Sequence, residues 1–395
     1  MVGFEKVANG TKGSLPSAEN TNTTNRSPDS ILNLVQGDPT VFEPYWRNQG
    51  DKCSLVISGS DFMSYYSDCE NICWFLQPQL ADAIRNIHRD VGNAVLDGRH
   101  IVIGTGSTQL FQAAVYALSS PAGPEPISVV SAAPYYSRYP EEIEFLSSGL
   151  YKWGGDANTF DKDGPYIEVV NSPNNPDGTS RDAVVNRVEG RLIHDCAYYW
   201  PHYTPITGAA DHNVMLFTLS KCTGHAGSRI GWAIVKDIEV AKKMIKFVEF
   251  NSLGVCKESQ LRAAKILETI SNEYSNLGCT KTENFFEYGQ RLMAERWRKL
   301  REVIKRSKVF SLPEYPKECC NFSGEFMESH PAFAWLQSKG NMDAEKLLRS
   351  HKMMGKGGKY FGVDSKYARV SVVGREEDFN LLLERLSAIK GVETE

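Results

Sequence analysis

Thr218-Leu-Ser-Lys221-Cys-Thr-Gly224-His-Ala-Gly227-Ser-Arg229-Ile-Gly231-Trp232 is the stretch on which the reading of this chain turns. It lies between two apolar runs, Val214-Met-Leu-Phe217 and Gly231-Trp-Ala-Ile-Val235, which read as buried strands. A solvated charge is costly at the end of a buried strand, so the place suits an amine that is neutral or tied up as an imine. Such a lysine forms a Schiff base with the aldehyde of pyridoxal phosphate, which then acts as an electron sink. Thr218 and Ser220 add hydroxyls, the glycines let backbone approach a ligand, and Arg229 can fork onto a phosphate. Taken alone, the stretch more often reads as a strand that ends in a surface lysine and turns over, since short motifs match by accident.

Moving outward, upstream segments alternate between helix and strand. Leu80-Ala-Asp-Ala-Ile-Arg-Asn-Ile87 has helical spacing, and His100-Ile-Val-Ile-Gly104 reads as a short buried strand. Thr105-Gly106-Ser107-Thr108-Gln109 then opens a helix through Leu118. Further strands run from Ile127 to Val130, ending at Ala133-Pro134-Tyr135-Tyr136, and from Tyr166 to Val170, ending at Asn171-Ser-Pro-Asn174-Asn175-Pro176-Asp-Gly178. Arg191-Leu-Ile-His-Asp195 is another, followed by Cys-Ala-Tyr198. Short apolar strands separated by crossings imply an α/β fold, a mostly parallel sheet sandwiched by helices. Downstream come helices from Ile238 to Val248, Lys257 to Ile270 and Thr282 to Ser307, then strands at Ala332–Trp335 and Tyr367–Val373 and a helix over Glu376–Ile389. The expected organisation is a disordered tail over 1–30 and an aromatic-rich segment over 31–77 that joins a small domain and a dimer interface. A large cofactor domain over 78–255 and a small α+β domain over 256–395 complete it.

The 395 residues are 41% hydrophobic and 23% charged, with a net charge of -4 and no long basic run. That composition points away from nucleic acid and acidic membrane surfaces. No apolar run approaches the roughly 20 residues that span a bilayer, and the first residues carry no apolar signal core, so a cytoplasmic location is expected. The nine cysteines are irregularly spaced and read as free thiols. Cys69 and Cys73 sit four apart on an expected helix, but nothing completes a metal set.

Ligands of doubly wound sheets bind beyond the carboxyl ends of the strands, and the polar clusters fall there. Ser107 and Thr108, where a strand feeds a helix, suit either a phosphate cup or a helix cap. Asp195 can pair with a protonated pyridine nitrogen or cap a helix, and Asn175 can bond a ring oxygen or form an Asx-turn. Tyr135 and Tyr136 offer a stacking face or core aromatics. Arg369, inside an apolar strand, needs an internal carboxylate or an anionic ligand.

In this order the motifs resemble the fold-type I pyridoxal phosphate aminotransferases over residues 31 to 390. Gly-Asp38-Pro-Thr, Cys-Trp74-Phe, Ser172-Pro-Asn-Asn-Pro-Asp-Gly, Ala197-Tyr-Tyr-Trp-Pro-His-Tyr203 and Ser220-Lys-x-Thr-Gly-His-Ala-Gly-Ser-Arg-Ile-Gly are similar to the plant tryptophan aminotransferase and alliinase group. The nearest likeness is to the tryptophan aminotransferases of the auxin pathway. The resemblance implies that Lys221 forms the imine and moves a proton between Cα and the cofactor. It pairs Asp195 with the pyridine nitrogen, and it sets Asn175 and Tyr198 at the ring oxygen and Tyr136 on the ring face. It gives the phosphate to Ser107, Thr108, Thr218, Ser220 and Arg229, with Tyr65 reaching across a homodimer. Arg369 takes the substrate carboxylate, with backbone near Gly37. The implied reaction moves an amino group from tryptophan to a 2-oxo acid. A carbon–sulfur lyase is the alternative within the same chemistry, and a catalytically dead binding relative is disfavoured because Lys221, Asp195 and Arg369 are all present.

Overall fold

The structure, a computed structural model, describes residues 30–119, 125–275, 283–340 and 342–389. The expected tail lies outside these residues except for Ser30, and so do Cys279 and Thr282. Seven strands form one sheet: β1 (His100–Gly104), β2 (Ile127–Ser131), β3 (Tyr151–Asp156), β4 (Tyr166–Asn171), β5 (Gly190–Asp195), β6 (Val214–Thr218) and β7 (Gly231–Val235). Their order is β1-β7-β6-β5-β4-β2-β3. From β6 through β5, β4 and β2 to β3 every pair is parallel, while β7 is antiparallel to both β1 and β6. Strands β2, β4, β6 and β7 are buried at every position, as near-continuous apolar strands covered on both faces must be. Glu168 is buried within β4 because its carboxylate accepts the backbone N–H groups of Val184 (2.7 Å) and Val185 (3.1 Å). Helix Pro78–Val91 packs along helix Lys257–Ser275, and helix Gly106–Leu118 along helix Ile238–Ser252.

Two elements of this sheet layer escape the sequence reading. Helix Arg138–Leu146 carries Pro140 in its first turn, where a missing N–H costs nothing, so a residue that looks like a breaker is tolerated. Strand β3 contains Gly154 and Gly155 and pairs with β2 through a register shift at Val129/Val130. Conversely, the segment holding Cys69 and Cys73 is not helical. Asp68 and Asn71 side chains accept the N–H groups of Glu70 (3.0 Å) and Cys73 (2.9 Å), local bonds that compete with a helix.

The C-terminal part holds an antiparallel sheet of β8 (Phe310–Ser311), β9 (Phe333–Ser338), β10 (Lys356–Gly357) and β11 (Tyr367–Ser371), ordered β10-β11-β9-β8. Its edge strands are two residues long, too short to leave a periodic signal. The segment after Ser30 is stitched onto this sheet. Leu32–Asn33 pairs with Met353–Met354, Ser371 donates to the Leu34 carbonyl (2.9 Å), and Val41 donates to that of Val373 (3.0 Å). No helix among the described residues is long and apolar enough to cross a membrane.

Candidate active site

Strand β6 ends at Thr218, and the next four residues, Leu219–Cys222, make a single helical turn that begins when Thr218 Oγ1 accepts the N–H of Ser220 (3.3 Å). From this turn Lys221 Nζ reaches the Gly37 carbonyl at 2.5 Å and lies 5.8 Å from the centre of the Tyr198 ring. Burial pushes its amine down to about 8, and Arg369 and Arg229 push the same way against Asp38 and Asp195. The lysine therefore gives up its proton more readily than an ordinary lysine.

Lys221 opens into a cavity of about 190 Å³. Ser107, Thr108, Thr218, Ser220 and Arg229 line it, and so do Tyr136, Asn175, Asp195 and Tyr198. The helix Gly106–Leu118 starts here on Gly106, whose φ of +77° favours glycine. A Cβ at Gly106 would collide with the Arg229 guanidinium, and one at Gly231 would strike the backbone N of Ser107. Two glycines thus allow a guanidinium to stand against the positive end of a helix dipole, an arrangement that is repulsive until an anion sits between them.

Asp195 closes β5. Its carboxylate accepts from the Tyr139 hydroxyl (2.8 Å) and the Ala197 N–H (3.1 Å), while burial pushes its pKa up. Asn171 ties the neighbouring loops together, donating to the Asp195 carbonyl (2.9 Å) and accepting from the N–H of Asn175 (2.7 Å). The two adjacent tyrosines part company. Tyr136 faces the cavity, its hydroxyl pushed up to about 12 by burial, whereas the Tyr135 ring packs on Trp153 at 5.0 Å and against Gly362.

Arg369, on β11, reaches the same place from the other sheet. It donates to Asn175 Oδ1 (2.8 Å) and the Val35 carbonyl (2.7 Å), and its guanidinium carbon sits 3.9 Å from the centre of the Phe333 ring. All these partners are neutral, and its Nε is buried with no partner among the described residues. Of the two sequence alternatives, the internal carboxylate is not found among the described residues. Tyr65 is 69% exposed and does not line the cavity of its own chain.

The sequence reading missed Tyr139, Asp38 and Asn171. Tyr139 lies in the first turn of helix Arg138–Leu146, and its ring sits 5.3 Å from that of Tyr136, which precedes the helix. Pro140 hid that helix. Asp38 lines the cavity beside Gly37 but reads in sequence as part of a turn.

An amine of lowered pKa, a buried carboxylate, an anion cradle and an uncompensated guanidinium fit pyridoxal 5′-phosphate and an amino acid carboxylate. A family model described as allinase matches residues 32–390. The chain is 53% identical to tryptophan aminotransferase-related protein 2 of Arabidopsis thaliana, over 91% of this chain and 82% of that protein. It is 51% identical to tryptophan aminotransferase-related protein 2 of Oryza sativa subsp. japonica (92% and 74%) and 34% identical to alliin lyase 1 of Allium sativum (89% and 73%). An aspartate aminotransferase from Thermus thermophilus solved with maleate superposes with a TM-score of 0.61 at 19% identity, covering 91% of this chain and 92% of that one. An aminotransferase from Staphylococcus aureus gives 0.61 at 15% identity, covering 93% and 96%. The fold is that of the fold-type I aminotransferases. With the match running almost from the first described residue to the last, this chain belongs to the allinase family, whose cofactor is pyridoxal 5′-phosphate.

Proposed function

We propose that the protein is an aminotransferase that takes the amino group of L-tryptophan to a 2-oxo acid, releasing indole-3-pyruvate for auxin synthesis. The observation that carries this reading is the meeting of Lys221 and Asp195 in one cavity, with Arg369 bonded to Asn175 of its lining, in a chain much closer to tryptophan aminotransferase-related proteins than to alliin lyases. Bound pyridoxal 5′-phosphate supplies an aldehyde for the amine and a ring that holds the electron pair released at Cα. Ser107, Thr108, Thr218, Ser220 and Arg229 hold its phosphate, and Tyr136 covers the ring face. The Asp195 carboxylate, fixed by Tyr139 and Ala197, accepts a hydrogen bond from the ring nitrogen and favours its protonated form. Asn175 and Tyr198 hold the ring oxygen. Arg369 binds the substrate carboxylate in exchange for its present neutral partners. Lys221 Nζ, its pKa lowered to about 8, would serve as the base that takes the proton from the substrate Cα. Tyr65, exposed here, reaches a partner subunit's phosphate in a homodimer.

The allinase match favours one second reading, elimination at Cβ of an S-alkyl-cysteine sulfoxide. Counting oxo acid released per active site without an acceptor separates the two. Arrest at about one equivalent on tryptophan, with no turnover of the sulfoxide, is the expected result. Sustained pyruvate release from the sulfoxide sinks it. Lys221→Ala should lower turnover by roughly 10⁴-fold and abolish covalent attachment of the cofactor, checked by borohydride reduction and mass spectrometry.

A further inference from the structure

The turn that carries Lys221 is too short to fix itself. Leu219–Cys222 is a single turn, and carbonyls at a helix end need donors from elsewhere. Two distant side chains supply them. His202 Nε2 donates to the Lys221 carbonyl at 3.1 Å, and the Trp46 indole N–H donates to the Thr223 carbonyl at 2.9 Å. Because the carbonyl accepts, the His202 proton is on Nε2. Its Nδ1 is buried without a partner among the described residues, and burial pushes the ring down to about 3, so it stays neutral.

The slot around His202 is aromatic. Its ring lies nearly parallel to Phe286 at 5.6 Å and edge-on to Phe42 at 5.2 Å. Helix Phe285–Ser307 comes so close that a Cβ at Gly289 would meet the His202 Cβ at 2.7 Å. A phenylalanine would fill such a slot without burying an unpaired nitrogen, so packing alone does not account for histidine there. What histidine adds is the bond to Lys221. On the other flank, the Thr223 hydroxyl donates to the Leu219 carbonyl (3.1 Å) and so accepts from His225 Nδ1 (2.9 Å). The His225 ring stands edge-on to Trp46 at 4.7 Å.

We propose that His202 and Trp46 are positioning residues for the lysine: their N–H groups clamp its turn from two sides and hold Lys221 Nζ at the Gly37 carbonyl inside the cavity. The inference rests on the reading of Lys221 as the cofactor lysine. Neither clamp lines the cavity, so both act through Lys221.

The test reads the Lys221 amine in the apoenzyme, from the pH dependence of its labelling by an amine reagent followed at the Lys221 peptide. The charged groups facing that amine are Asp38, Asp195, Arg229 and Arg369, and none is altered. His202→Phe should move the midpoint upward by about one unit, because a loosened turn lets the amine reach solvent. It should also weaken pyridoxal phosphate binding roughly tenfold, the worth of one buried hydrogen bond. His202→Gln, which keeps an N–H in reach, should stay near the wild-type midpoint, and Trp46→Phe should move the same way as His202→Phe. A wild-type midpoint in His202→Phe, or equal shifts in the Phe and Gln variants, overturns the proposal. If His202→Phe does not fold, the other two variants decide: a shifted Gln variant or an unshifted Trp46→Phe overturns it. A covalent cofactor surviving in Lys221→Ala would instead strike the underlying reading of the lysine.

Discussion

In the seven-stranded sheet the polar groups of the site begin where strands stop, Asp195 closing β5 and Thr218 closing β6, whereas in the four-stranded sheet Arg369 sits mid-strand between Ala368 and Val370. At a strand end the backbone is free of its ladder, so the Asp195 carboxylate finds the Ala197 N–H within its own loop. Mid-strand, every backbone group is already paired. Arg369 must therefore borrow the Val35 carbonyl from the N-terminal segment and Asn175 from the large sheet. The strand-end half takes some of its anchors from its own loops. The other exists only where two sheets and the N-terminal segment meet.

This contrast can be broken by mutation. Asp195→Asn strikes the strand-end half and should lower kcat by roughly 10²–10³-fold with any amino donor, the scale of losing one preorganised electrostatic partner. A smaller loss than that caused by Arg369→Met would reverse the order of importance. Arg369→Met strikes the shared half, and steady-state kinetics should show KM for the amino acid raised at least roughly 30-fold with kcat changed less, since a buried charge contact is lost. A kcat effect with unchanged KM would remove Arg369 from substrate binding.

The apoenzyme's pH dependence sharpens the same point without substrate. Native Lys221 loses its proton near 8, against an ordinary 10.5, so between those values the unfolded chain holds a proton that the folded one lacks. Stability should rise with pH across that window, by up to on the order of 3 kcal/mol, with the full cost present below it. Urea melts of wild type and Lys221→Met should converge as pH rises from 8 to 10.5; parallel curves would show that the amine is not depressed. The smallest effect belongs to Tyr139→Phe, which removes one hydrogen bond to Asp195 and should lower kcat about tenfold. An unchanged rate would mean that Ala197 alone suffices.

The sequence made the central strands legible because burial on both faces leaves unbroken apolar runs, and with them the loop residues that follow. It concealed elements whose local signals point the wrong way: the helix with Pro140, the strand with Gly154 and Gly155, and the turns around Cys69 and Cys73. Tyr139 was hidden with its helix. Arg369 stood out as a charge in an apolar strand, but Val35 and Phe333, which hold it, are ordinary apolar residues until the chain folds. His202 and Trp46 have the same history. A backbone carbonyl taken by a distant ring leaves no trace in spacing.

Strand β7 runs against its neighbours, so its first residue, Gly231, pairs with the last residue of β6, Thr218, and the last of β1, Gly104. A parallel strand would have started at the far edge of the sheet. The reversal means that one connection, residues 219–230, delivers both Lys221 and Arg229, the proposed covalent tether and the proposed ionic one. Under the proposed roles, inserting or deleting a residue there should displace both holds together, which makes the length of that connection as constrained as its chemistry.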